Sequence, residues 1–164
     1  MKKNLLFLAG LMTVVTLGVV SCFSSKSVLN NELAQAVKKQ IDDRHFTIEV
    51  TRMLPMNGRS SELTSLYSLT VNSDMIDSHL PYFGTAYSVP YGGGQGLTFK
   101  APITVYTESF DSKGTADISI QTRSEDDNYL YRIQIFTNGS ATIHVTPNNR
   151  QAITFYGNLK MKEE

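Results

Sequence analysis

Apolar positions recur with two different periods along the chain, and the change falls near residue 44. Before it, Leu29, Leu33, Val37 and Ile41 recur every fourth residue, which predicts a helix with one apolar stripe. Asn30 or Asn31 can cap its start, and it runs to about Asp43, with Lys38 and Lys39 near its C-terminal end, where cations are favoured. After it the period is two. Phe46, Ile48 and Val50 alternate with His45, Thr47, Glu49 and Thr51, so one face of a strand is apolar and the other polar. Pro55-Met56-Asn57-Gly58 marks a turn, and Tyr67, Leu69 and Val71 begin the next alternating segment.

The C-terminal half repeats this pattern five times. Ile103, Val105 and Tyr106 form one strand, which stops at Asp111-Ser112-Lys113-Gly114. Ala116, Ile118 and Ile120 carry the next, and a polar turn at 124–128 leads to Tyr129, Tyr131, Ile133 and Ile135. Asn138-Gly139 is a strong hairpin signal, since both residue types tolerate positive φ. Ala141, Ile143 and Val145 follow, and Pro147-Asn148-Asn149 turns into Ile153, Phe155 and Gly157. Short turns between alternating strands make an antiparallel meander. The fold expected is α+β, mostly β: an N-terminal helix packed on a curved antiparallel meander sheet. A small closed β-barrel with a polar lumen is the alternative, because alternation alone does not tell inward from outward.

The first residues have a different character. Met1-Lys2-Lys3-Asn4 is a cationic head, and the apolar run from Leu5 to Val20 is too short and too soon followed by polar residues for a permanent membrane span. Its exit, Val19-Val20-Ser21-Cys22, resembles the bacterial lipobox, which implies cleavage before Cys22 and lipid on its thiol. The expected organisation is a lipoprotein signal peptide at 1–21, the lipidated cysteine and tether at 22–28, one domain at 29–160 and a tail at 161–164. Such a chain is anchored to a membrane by acyl chains and does not span it. Phe23 stands where an aspartate would favour inner-membrane retention, and no acidic residue precedes Glu32, so the outer membrane facing the periplasm is the expected place.

Charge narrows the partners. The chain carries 15 basic and 15 acidic residues; removing the leader with Lys2 and Lys3 leaves 13 against 15, or about −2. Without a basic stripe, nucleic acid is not an expected partner. Cys22 is the single cysteine, so the domain has no internal disulfide. With no tryptophan, the eight Phe and eight Tyr supply the bulky packing groups.

Few residues offer chemistry. His45, His79 and His144 lack the close spacing of a zinc site, and Asp74, Asp77 and His79 come with no nucleophile or oxyanion hole. Glu125-Asp126-Asp127 lacks the glycine and spaced ligands of a calcium loop and reads as a solvated turn. No metal, cofactor or enzymatic activity is expected. The one segment with binding character runs from Leu80 to Gly96, where Tyr82, Phe83, Tyr87 and Tyr91 are interleaved with prolines and five glycines. Tyrosines on such a connection can line a groove for a small ligand or another protein. The plainer reading makes these rings a plug for the open end of the sheet.

The segment Leu80-Pro81-Tyr82-Phe83-Gly84-Thr85-Ala86-Tyr87 also resembles the signature of a Bacteroidetes lipoprotein family, domain of unknown function 4251. Gly96-Leu97-Thr98-Phe99 and Asn149-Arg150-Gln151-Ala152-Ile153-Thr154-Phe155-Tyr156-Gly157 fit the same likeness, which spans nearly the whole mature chain. The resemblance implies a secreted lipoprotein and brings no catalytic residues. Together these readings give an envelope binding module, with a structural or assembly lipoprotein that binds another envelope protein as the alternative. In a bacterial host fed tagged palmitate, the chain is expected to take up label, and Cys22→Ala to abolish it; label retained by the variant overturns the lipobox reading.

Overall fold

The computed structural model describes residues 25–87 and 96–161. Helix α1 (Ser25–Asp42) is followed by eight strands: β1 (His45–Pro55), β2 (Ser61–Asn72), β3 (Met75–Leu80), β4 (Leu97–Phe110), β5 (Ala116–Arg123), β6 (Asn128–Ile135), β7 (Ser140–Pro147) and β8 (Ile153–Leu159). Each strand pairs antiparallel with the next, and β8 pairs with β1, so the meander closes into a barrel. Of the two forms the alternation allowed, the closed one is observed. Within it, β3 is a strand that the periodicity missed. The helix also starts earlier than a cap at Asn30 or Asn31 predicts, taking in residues 25–28 of the expected tether.

The lumen is apolar rather than polar. Ile48, Leu69, Ile76, Leu80, Leu97, Ile120, Ile133, Ile143 and Phe155 are all buried and come from every strand of the barrel. Thr47, Glu49, Asp77, Lys100, Asp117 and Arg132 alternate with inward neighbours on the outer wall. This is the reverse of an outer-membrane barrel, whose apolar residues face outward. Among the described residues no helix is long and apolar enough to cross a membrane. Ser78 and Tyr131 bring polar groups into the interior as a satisfied pair. The buried Tyr131 hydroxyl donates to Ser78 Oγ at 3.1 Å, and the Ser78 hydroxyl donates to the Leu97 carbonyl at 2.7 Å.

One end of the barrel is closed by the last turns of α1. Val37 and Ile41 join the core, with Leu33 and Met161 packed against it. Lys38 sits 4.2 Å above the Phe110 ring and also pairs with Asp42, while Arg44 lies 4.3 Å above Tyr106. Arg44 takes positive φ, which turns the chain from helix into β1.

Closure places β8 hard against β1. A side chain at Gly157 would put its Cβ 2.1 Å from the Glu49 carbonyl oxygen, so only glycine fits there. The contact lies beside a register shift between Val50 and Arg52, where β1 gains a residue and bends. Two hairpins at the helix end share one design. The Asp111 amide donates to the Thr115 carbonyl and the Gly114 amide to the Asp111 carbonyl; Phe136, Ser140 and Gly139 repeat this. Gly114 and Gly139 alone take positive φ in these turns, so Asn138 does not adopt the conformation its type permits. Its side chain instead accepts from the Ser140 amide and hydroxyl. Asp111 plays the same part, accepting from the Lys113 and Thr115 amides.

Two predictions come from these contacts. Ser78→Ala strands the buried Tyr131 hydroxyl and is expected to cost roughly 1–3 kcal/mol, whereas Tyr131→Phe leaves Ser78 bonded to Leu97 and costs about 1 kcal/mol. Equal losses in urea unfolding would contradict the pairing. The Thr115 amide, then the Lys113 amide, hold the Asp111 carboxyl below its ordinary 3.8. A carboxyl lowered by folding contributes stability above its unfolded pKa, lost as pH falls through the folded one. The stability advantage over Asp111→Asn is therefore expected to shrink as pH drops from about 6 to about 2. An unchanged difference would refute it.

Candidate functional site

At the other end of the barrel, the loops β1–β2, β3–β4, β5–β6 and β7–β8 come together. After β3 the chain crosses this end and runs beside the β7–β8 connection. Ala86 forms a β-bridge with Arg150, the Tyr87 amide donates to the Asn149 carbonyl at 2.8 Å, and the Gln151 amide donates to the Thr85 carbonyl at 3.1 Å. Tyr82 fastens the crossing: its hydroxyl lies 3.1 Å from both the Thr85 and the Gln151 carbonyls. Burial pushes that hydroxyl's pKa up from its ordinary value. A Cβ at Gly84 would meet the Tyr82 hydroxyl at 2.7 Å, so a side chain there would displace the Tyr82 ring from its place. The first and last signature segments thus touch. The middle one lies against both, since a Cβ at Gly96 would stand 3.4 Å from the Tyr82 Cβ and 4.0 Å from an Arg150 guanidinium nitrogen. Beside it Phe99 stacks on Tyr129 at 4.5 Å, and the Tyr129 hydroxyl donates to the Gly96 carbonyl at 3.4 Å.

The candidate residues separate by what they touch. Tyr82 is half-buried and its hydroxyl is engaged within the fold. Phe83 and Tyr87 flank the pinned segment and are 57% and 68% exposed, large values for rings. Tyr91 and Cys22 lie outside the described residues. Tyr82 thus holds the crossing onto this end, while Phe83 and Tyr87 turn their rings to solvent.

Two residues of this end were not picked out as site residues. Asp127 belongs to a run of acids whose composition suggests a solvated turn, yet it is buried. Its carboxylate accepts the amides of Asn128, Asn148 and Asn149 at 2.8–3.3 Å, tying the β5–β6 turn to the β7–β8 connection. Arg150 is also buried, with its guanidinium 5.5 Å from the Tyr82 ring. The run of three acids hid Asp127; only the Asn128 that follows it hinted at local bonding. Glu125 and Asp126 instead rim an open cleft of about 820 Å³ beside β4, with Lys100 and Arg123.

The histidines stay apart. The His45 ring contacts the Asp43 carbonyl, His79 lies 5.5 Å from the Tyr67 ring, and His144 bonds the Thr154 hydroxyl. Among the described residues no group of three or more metal-ligating side chains converges.

Comparison with known proteins gives a family and a fold. The family model described as domain of unknown function, DUF4251, matches residues 29–159. A crystal structure of a DUF4251 family protein from Bacteroides eggerthii is similar, with 22% identity and a TM-score of 0.62 over 77% of this chain and 86% of that one. No curated protein matches.

Asp127→Ala is expected to cost more than about 2 kcal/mol, since three backbone donors lose a charged acceptor. Tyr82→Phe should cost about 1 kcal/mol. Denaturant melts in which Asp127→Ala matches the wild type would disprove the tie.

Proposed function

The chain belongs to the DUF4251 family, and from that premise we propose that it is a membrane-tethered envelope lipoprotein whose barrel is a binding module working through its loop end. Cys22 carries the anchor, and the expected place is the outer membrane, facing the periplasm. The observation that carries the binding reading is the pairing of exposure with fixation. Phe83 and Tyr87 present apolar rings to solvent on a segment held at Thr85, Ala86 and Tyr87 by backbone contacts to 149–151. Exposed rings ordinarily lose freedom when a partner covers them; a pinned backbone removes much of that entropic cost in advance.

The packed lumen argues for recognition on the outside of the barrel rather than for a ligand carried within. It also divides labour between neighbours, with Tyr82 holding the loop and Phe83 and Tyr87 making contact. A small ligand with an apolar face, or a protein partner, fits the same two rings.

A photo-crosslinking phenylalanine analogue placed at residue 83 in living cells tests this. A discrete adduct is expected at position 83, absent when the analogue replaces Thr107 on the wall, and lost in the Tyr87→Ala background. Phe83→Ala and Tyr87→Ala should each change folding stability by less than about 0.5 kcal/mol, as exposed positions do. No adduct, or the same adduct from position 107, would sink the proposal.

A further inference from the structure

We propose a second binding site on the barrel wall, where the open edge of β4 between Gly96 and Pro102 receives an extended peptide strand. The site does not depend on the loop-end reading.

The two halves of β4 have different neighbours. Residues Leu97 to Pro102 pair with β3, and pairing with β5 begins only at Ile103. On the β5 side the partner chain has already turned away through 124–127, which opens the cleft of about 820 Å³. Hydrogen bonds on either side of the strand fix which backbone groups face it. The Leu97 carbonyl accepts from the Ser78 hydroxyl and the Ile103 amide donates to the Asp74 backbone carbonyl, so the odd-numbered residues face β3. The Pro102 carbonyl accepts from the Thr122 hydroxyl and the Gly96 carbonyl from the Tyr129 hydroxyl, so the even-numbered residues face the cleft. Between these two capped carbonyls stand Thr98 and Lys100. Their amides and carbonyls point into the cleft with no backbone partner among the described residues.

Residues two apart on a strand present their backbone pairs about 7 Å apart, the repeat that an antiparallel neighbour matches. What fits is therefore another backbone in extended form, the geometry of β-strand addition. The cleft's surroundings select among extended chains. Lys100 and Arg123 stand against Glu125 and Asp126, so the rim is balanced in charge and offers nothing to a polyanion. The half-buried Phe99, stacked on Tyr129, forms an aromatic floor for an apolar side chain of the added strand. Residues 124–126 line the cleft across from β4, so an added strand would lie between two walls of this one domain. The occupant is thus an extended segment of a partner polypeptide, with an apolar residue over Phe99 and charges of both signs at its flanks.

The test uses the full chain and a displayed library of random seven-residue peptides. Enriched peptides, made synthetically, are expected to slow hydrogen exchange at the Thr98 and Lys100 amides by at least about tenfold. N-methylation at alternate peptide residues should abolish binding in one phase and spare it in the other, because only every second amide faces β4. Lys100→Pro, which removes a cleft-facing amide while sparing the β3 ladder, should weaken binding by at least about tenfold. The N-methyl series needs no change to the protein and decides the matter if that variant does not fold. No enrichment, binding indifferent to N-methylation, or protection confined to residues 83–87 would each overturn the site; the last would leave the loop-end proposal standing.

Discussion

The pairing of β8 with β1 is the contact on which the rest of the structure depends. Without it the meander would be an open sheet with two long edges, and its apolar face would need a separate cover. Closure instead turns that face inward on itself, so α1 has only one end of the barrel to close and not a whole sheet. The junction rests on a small detail: Gly157 lies so close to the Glu49 carbonyl that no side chain could stand between the strands. The adjacent bulge in β1 supplies the bend that brings the two edges together.

A packed lumen then decides where function can sit. Inward positions are occupied by aliphatic and aromatic side chains, with the Ser78–Tyr131 pair satisfied internally. The recognition proposed above is therefore left to the loop end and the wall. At the loop end the buried Asp127 and the Tyr82 hydroxyl spend their bonding capacity on backbone groups from distant parts of the chain. These bonds make a firm platform from connections that contain few regular elements.

Much of this was legible in the residues, and the failures have particular causes. Period-two alternation identified the inward residues of β1 and β5 to β8, and those residues are buried as it requires. Strand β3 escaped because Ser78 occupies an inward position between Ile76 and Leu80, breaking the apolar rhythm where the Tyr131 hydroxyl needs a partner. Closure could not be read because nothing local distinguishes a strand whose neighbour, as β8 is to β1, lies far along the chain from one at a free edge. The Leu80–Gly96 segment stands out for its rings, but their division into a half-buried latch and exposed faces depends on residues 149–151, whose approach no spacing announces. Asp127 escapes notice for a related reason: its three donors include two from the β7–β8 connection, brought near only by the fold.

Joining the first strand to the last also sets an order of events. A ribosome makes β1 early and β8 last, and a chain threaded N-terminus first through a narrow pore delivers them in the same sequence. Seven strands can exist before the seam has a partner, and the loop-end latch, which needs residues 149–151, must wait almost as long. A barrel sewn from its two ends therefore stays loose while it is being made and becomes rigid only when nearly all of it has arrived.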